Sequence, residues 1–247
     1  MSYSHNRLYV IIPAAGSGSR MHSDKNKLFM EVDGISVIDR TMAAFRRFAD
    51  EYGVDIEAIL VISPDAASTW EEYIKGKSDY GMVKALAKGG ATRTESVGNG
   101  VRTLKDLHPE NKDPVFIHDG ARCLIDSDSL GRCFSAICED GIDVCVSGVA
   151  TKNTIKVVRS HDDKEPVIVD HTPLRSNLYE VQTPQCFKFG TLEEIYDRAS
   201  RDGIEATDDT ALAEILGYEV RIIEGSYSNI KITTPEDIAI AEALLKT

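Results

Sequence analysis

The chain has 247 residues, 42% of them hydrophobic and 28% charged, the balance of an ordinary globular protein of one or two domains. With 28 basic against 40 acidic residues the formal charge is −12, which excludes a nucleic-acid backbone as the main partner, because such binding needs clustered excess Lys and Arg. No apolar run approaches the roughly 18 residues of a membrane span, and Met1 to Arg7 lacks the apolar stretch of a secretory signal.

Strand-type and helix-type segments alternate from the start. Leu8 to Pro13 is a short apolar run that leads straight into Gly and Ser. Ile35 to Phe48 repeats its apolar residues with the helical period. Ala58–Ile62 reads as a second strand, Pro64–Lys75 as a helix and Met82–Ala87 as a third strand. Thr94–Lys105 is expected to be helical, Pro114–His118 a strand, Ser127–Glu139 a helix capped by Asp126 or Ser127, and Asp143–Val149 a strand. Apolar runs without alternation mean strands buried on both faces. With helices between them, they predict an α/β fold with a mostly parallel central sheet.

The segment 151–187 breaks this rhythm. Ile155–Val158 and Val167–Val169 flank a polar stretch and read as a hairpin with a long tip. Such a hairpin is marginal alone, so it is expected to protrude as an arm and pack on a second copy of the chain. Helices follow near Leu192–Ala199 and Asp208–Leu216, then a strand at Val220–Ile223. Thr234, Pro235 and Asp237 signal the start of the last helix through a variant capping box. The whole reads as a single domain, 1–247, with one arm. The five cysteines, Cys123, Cys133, Cys138, Cys145 and Cys186, are odd in number and form no C-x-x-C pair. They are expected to be reduced, mostly core thiols of a cytoplasmic protein.

The sharpest local signal is Ala14-Ala15-Gly16-Ser17-Gly18-Ser19-Arg20-Met21. Small residues after a buried strand expose N–H groups that can cradle phosphates. A dinucleotide fingerprint would need Gly where Met21 stands, and a P-loop would need Gly-Lys-Ser/Thr. Instead the loop carries Arg20 and, seven residues on, Lys27. Fixed cations beside a phosphate loop suit attack on the α-phosphorus of a triphosphate, whose transition state spreads negative charge over oxygens and leaving pyrophosphate.

Residues 13–27, PAAGSGSRMHSDKNK, resemble the signature loop of the Rossmann-like nucleotidyltransferases, most nearly the 2-C-methyl-D-erythritol 4-phosphate cytidylyltransferase family. The likeness continues in order through GGATRTESVGNGV from Gly89, VFIHDGAR from Val115, NTIK from Asn153, LRSNLYEVQTPQCF from Leu174, ATDDTALAE from Ala206 and EGSYSNIKITTPEDIAIAEALL from Glu224. It implies a Rossmann-like nucleotidyltransferase sandwich with a protruding β-arm. The implied reaction transfers CMP from CTP to 2-C-methyl-D-erythritol 4-phosphate, releasing pyrophosphate. It also implies a nucleotide pocket of Ala14, Ala15, Gly16, Gly18, Gly90, Ala91, Ser96 and Asp119. Thr154, Thr183 and Thr207 would serve the second substrate. Arg20, Lys27, Lys231 and Arg175 would be the catalytic cations, with Arg175 lent by the other subunit of a homodimer.

Asp119, at the end of a strand, is suited to hold Mg²⁺ directly or through water, or a ribose or substrate hydroxyl. Arg122 reads as its structural partner, and His118 as structural. Locally, Ser96 reads equally as a helix cap, and Thr207-Asp208-Asp209 as another. The substrate's own phosphate is the nucleophile, so no side-chain nucleophile or general base is required. The chain departs from the family pattern at Asn26, where Pro is common, and at Leu28, Gly120 and Cys123, where Gln, Ala and Pro are common. A ribitol-5-phosphate cytidylyltransferase shares fold and chemistry and is the nearest alternative. A non-catalytic nucleotide sensor is the alternative from another class.

Overall fold

The structure, a computed structural model, describes residues 6–16, 26–159 and 167–246. In chain order its elements are β1 (Arg7–Pro13), β2 (Glu31–Val32), β3 (Ile35–Ser36), α1 (Val37–Tyr52), β4 (Asp55–Ile62), α2 (Ala67–Ile74), β5 (Val83–Lys88), α3 (Arg93–Lys105), β6 (Pro114–Ile117), α4 (Ser127–Cys138) and β7 (Val144–Ala150). There follow β8 (Val157–Val158), β9 (Val169–His171), β10 (Tyr179–Lys188), α5 (Phe189–Asp202), α6 (Asp209–Ile215), β11 (Arg221–Glu224) and α7 (Pro235–Leu244). Seven strands form one sheet in the order β11-β7-β10-β6-β1-β4-β5. All its pairings are parallel except those of β10, which runs against both β6 and β7.

The apolar runs are buried on both faces because two cores lie on opposite sides of the sheet. Along β1, Leu8, Val10 and Ile12 join one core with α1, α4 and Trp70 of α2, while Tyr9 and Ile11 join the other with α3, α5 and α6. Along β4, Ile56, Ala58, Leu60 and Ile62 face the first core and Ile59 and Val61 the second. The period-two alternation is present, but both faces are dry. Helix α1 starts at Ser36, whose hydroxyl accepts from Asp39 N–H, and ends at Gly53, which takes φ 65°. Its buried residues Val37, Ile38, Thr41, Met42, Ala44, Phe45 and Phe48 follow the helical period. Helix α7 has the expected capping box, with Asp237 accepting from the N–H groups of Thr233 and Thr234. The expected helix at 64–75 is a 3₁₀ turn, Pro64–Ala66, followed by α2.

The segment 151–187 divides where sequence reading kept it whole. Its middle is the expected hairpin, shorter than predicted, with Val157 opposite His171 and Val158 opposite Val169. The residues around it are exposed although apolar, including Ile155, Ile168 at 61% and Leu174 at 69%. Its end is not arm at all: β10 is central in the sheet, and Cys186 and Phe187 are fully buried. Pro184 hid this strand, since proline has no N–H for a ladder and argues against a central position. The chain accommodates it where the register with β7 shifts, between Val181 and Gln185. The five cysteines carry no disulfide; four are buried and Cys138 is half-buried. Among the described residues, no helix is long and apolar enough to cross a membrane.

Candidate active site

Strands β4 and β5 extend the sheet to one side of β1, and β6 starts the other side. A crevice therefore opens at the carboxyl ends of β1 and β6, where open α/β sheets collect ligands. The turns after β1, β5 and β6 meet there around a pocket of about 320 Å³. It is lined by the run Pro13–Gly16, by Lys27 and Leu28, by Gly90–Arg93 and Ser96, by Asp119–Ala121 and by Lys231.

The first two turns are in contact. Ala14 N–H donates to Val61 O at 2.7 Å, Gly89 N–H to Ile62 O at 2.7 Å, and the Ser63 hydroxyl to Ala15 O at 2.9 Å. A side chain at Gly89 would put its Cβ 2.7 Å from the Ala15 Cβ, so only glycine allows this approach. The helix cap is not Ser96 but Thr92, whose hydroxyl accepts from Glu95 N–H at 3.1 Å; Ser96 serves the turn instead. Its hydroxyl accepts from Gly90 N–H at 2.9 Å, fixing the turn before α3, and its own proton remains available at the pocket wall.

Lys27 opens a 3₁₀ turn, Lys27–Phe29. The Asn26 side chain accepts from Leu28 N–H at 3.1 Å, and Asn26 has φ −57°, the value a proline would impose. The departure from the family pattern thus keeps the backbone angle and adds a cap. Leu28 is buried, and the Phe29 ring lies 4.9 Å from Trp70 and 4.6 Å from Tyr73. Anchored so, Lys27 reaches Ile232 O with its ammonium at 3.2 Å. Lys231, the neighbouring residue, places its Nζ 2.7 Å from Asp119 Oδ2.

Asp119 is the acid among the residues lining the pocket. Arg93 and Arg122 each approach its carboxylate to 3.8 Å. Burial pushes its pKa up, but Lys231, Arg93 and Arg122 outweigh burial and hold it at about 2. Behind it runs a chain of hydrogen bonds whose direction is fixed. Arg122 O can only accept, so His118 Nε2 carries the ring proton, at 3.1 Å. His118 Nδ1 then accepts from the Thr183 hydroxyl at 3.1 Å, and that oxygen accepts from Asp119 N–H at 3.1 Å. Burial lowers the His118 pKa to about 4, in keeping with a neutral ring.

The structure brings Ala14, Ala15, Gly16, Gly90, Ala91, Ser96, Asp119, Lys27 and Lys231 to one pocket. Thr183 is 3% exposed and stands behind Asp119 rather than on the pocket surface. Thr207 is exposed just before α6, and Thr154 and Arg175 are exposed on the arm, away from this pocket. Arg20 and Gly18 lie outside the described residues. Arg93, given no role by sequence reasoning, lines the pocket between two acids: its guanidinium is 2.6 Å from Asp209 and 3.8 Å from Asp119. Asp209 is 116 positions away in the chain, so no local pattern announced the pair. Among the described residues no three His, Cys, Asp or Glu side chains gather as a metal cluster. One carboxylate fits a hard divalent cation that arrives with phosphate oxygens and water in most of its shell.

The family model described as 2-C-methyl-D-erythritol 4-phosphate cytidylyltransferase matches residues 8–247. Relatives of that name include one from Nostoc punctiforme, 41% identical over 97% of this chain and 99% of its own length. Another, from Alkaliphilus oremlandii, is 38% identical over 96% and 94%. Among solved structures, the 4-diphosphocytidyl-2C-methyl-D-erythritol synthase of Anaerococcus prevotii superposes with a TM-score of 0.76 at 29% identity, over 97% of this chain and 98% of that one. The Francisella tularensis 2-C-methyl-D-erythritol 4-phosphate cytidylyltransferase gives 0.76 at 28%, over 96% and 99%.

Proposed function

The chain belongs to the 2-C-methyl-D-erythritol 4-phosphate cytidylyltransferase family, and we propose that it transfers CMP from CTP to 2-C-methyl-D-erythritol 4-phosphate in this pocket. The acceptor's phosphate oxygen attacks the α-phosphorus of CTP. A P–O bond forms to the acceptor as the P–O bond to pyrophosphate breaks, and pyrophosphate carries away the electron pair. The observation that carries the reading is the convergence of Lys27, Lys231 and Asp119 with the turns after β1 and β5 on one pocket.

Each residue then has a physical task. Bare backbone at Ala14, Ala15, Gly16, Gly90 and Ala91 lets the nucleotide approach closely, and the Ser96 hydroxyl offers a donor to its base. Gly18 and Arg20 belong to the same phosphate loop. Two polyanions must touch, so Lys27, Lys231 and Arg20 offset their repulsion and stabilise the charge that builds in the transition state. Asp119 orients Lys231 and would hold Mg²⁺, which supplies further charge neutralisation at the phosphates. Thr183 supports Asp119 from behind, so its contribution to the acceptor runs through that carboxylate.

The acceptor side is completed by a second copy of the chain. A hairpin with this much exposed apolar surface, Ile155, Ile168 and Leu174 among it, needs a cover. Packing it across a homodimer brings Thr154 and Arg175 toward the partner's pocket, near Thr207. Arginine suits the acceptor phosphate because its planar fork binds bidentately. Cysteines without disulfides suit a cytoplasmic enzyme, or a plastid one. The test is a panel of alditol phosphates with CTP and Mg²⁺. Pyrophosphate release is expected with 2-C-methyl-D-erythritol 4-phosphate; release with ribitol 5-phosphate in its place would overturn the acceptor, and CTP binding with no turnover would overturn the enzyme.

A further inference from the structure

Asp209 opens α6 with a side chain that is 1% exposed. Its Oδ1 accepts from the Arg93 guanidinium at 2.6 Å and from the Tyr196 hydroxyl at 2.5 Å. Its Oδ2 is buried with no hydrogen-bond partner. Gln185 Oε1 fixes the backbone below, accepting from the N–H groups of Asp209 and Thr210 at 2.8 and 3.0 Å. On its far side, Arg93 stands 3.8 Å from Asp119 Oδ1, beyond hydrogen-bond distance. Lys231 meanwhile holds Asp119 Oδ2 at 2.7 Å.

Stability does not account for this arrangement. Burying the Asp209 charge against a half-buried guanidinium costs about as much as their attraction returns, and apolar residues of similar volume often serve equally well. A buried carboxylate oxygen without a partner adds a further cost. What the pair does fix is where Arg93 points. A guanidinium beside two carboxylates bonds whichever is better placed, and here Asp209 has it.

We propose that Asp209 is a positioning residue that draws Arg93 away from Asp119, leaving that carboxylate to orient Lys231 and to take the divalent cation that would neutralise the phosphates. Without Asp209, Arg93 swings across the short gap and closes an ion pair with Asp119. Arg93 then holds Oδ1 while Lys231 keeps Oδ2, so neither oxygen of the carboxylate that serves the reaction is left open. The inference rests on reading this pocket as the nucleotidyl-transfer site, but the swing itself does not depend on activity.

The test compares the wild type with D209N and D209N/R93Q. In D209N, kcat per folded molecule is expected to fall about tenfold, while the KM for CTP changes little, since the cost falls on transition-state stabilisation. Adding R93Q removes the guanidinium that seized Asp119, so the double variant should recover most of the lost kcat. A purely structural pair would change melting temperature and leave kcat per folded molecule where it was. A wild-type kcat in D209N, or a double variant no better than D209N, would overturn the proposal. Should D209N not fold, D209E displaces the same oxygen and is read in the same way. A crystal structure of the variant separates this inference from the functional reading: Arg93 within hydrogen-bond distance of Asp119 supports it, and Arg93 unmoved overturns it, whatever the enzyme turns over.

Discussion

The nucleotide side of the pocket and the arm are built on opposite terms. The turns after β1 and β6 start from strands whose residues are buried on both faces, the turn after β5 starts from an edge strand paired with β4, and each turn is hydrogen-bonded to a neighbouring strand or turn. The arm has no interior: β8 and β9 are exposed throughout, and its flanks show Ile168 and Leu174 to solvent. Charge placed on the first stands on turns that the sheet fixes. Charge placed on the second gains fixed geometry only through a partner. A reaction joining two phosphates can use the difference, with one substrate held by a rigid wall and the other by a surface completed on assembly.

The largest effect should come from the rigid wall. Lys27→Ala and Lys231→Ala each remove a preorganised cation, and kcat should fall ~10²–10³-fold, the usual cost of losing one group aimed at developing charge. Pyrophosphate release measures it. Either variant turning over within a few-fold of the wild type would mean that the wall is not where the charge develops.

The arm comes next. Arg175→Ala should weaken acceptor use ~10–100-fold, as expected for a charge-assisted pair with phosphate, with CTP affinity unchanged. Mixed with Lys27→Ala, the two inactive chains should regain about a quarter of wild-type activity, because half of randomly paired dimers carry one intact site of two. Failure of complementation would put Arg175 on the same chain as its pocket and erase the contrast. Leu174→Asp or Ile168→Asp should yield a monomer of unchanged melting temperature, read by solution mass and calorimetry together.

A smaller loss is expected at Gly89. Its Cβ would meet the Ala15 Cβ at 2.7 Å, so Gly89→Ala must push the two nucleotide turns apart. Overpacking of this kind costs ~1–3 kcal/mol, and the KM for CTP should rise about tenfold with acceptor KM unchanged. Equal changes in both would place the two substrates on one wall.

The same contrast governs what could be read in the sequence. Asp119 and the small-residue turns sit in short motifs at strand ends, and Lys27 and Lys231 sit in loop motifs that the resemblance matched, so local pattern and resemblance singled them out. Two features had no local signal. Strand β10 was masked by Gln182, Pro184 and Gln185, polar or ladder-breaking residues that look wrong for a sheet centre. Their partners are distant: Gln185 caps α6, and Gln182 donates to Ser226 O and accepts from Asn229. The Arg93–Asp209 pair likewise joins residues that only the finished fold brings together. Thr183 was found by resemblance, but a sequence does not say on which side of Asp119 it stands.

That buried wall also predicts a pH signature. His118 is kept neutral by burial, with its pKa lowered from 6.5 to about 4, whereas the unfolded chain protonates it at its ordinary value. The unfolded state therefore binds more protons between those two values, and stability rises with pH across that window. Its contribution is complete above pH 6.5 and lost as pH falls toward 4, worth at most about 3 kcal/mol. Asp119 acts lower, between its ordinary 3.8 and about 2; its stabilisation is complete above the first value and gone below the second. Denaturant titrations should thus show an acid limb that begins near pH 6, above the carboxylate range. His118→Gln, which cannot charge, should flatten that limb while leaving the one below pH 4. A limb unchanged in this variant would mean that the ring is not shut away from solvent, and that the wall behind Asp119 is looser than the chain of hydrogen bonds from Arg122 to Thr183 requires.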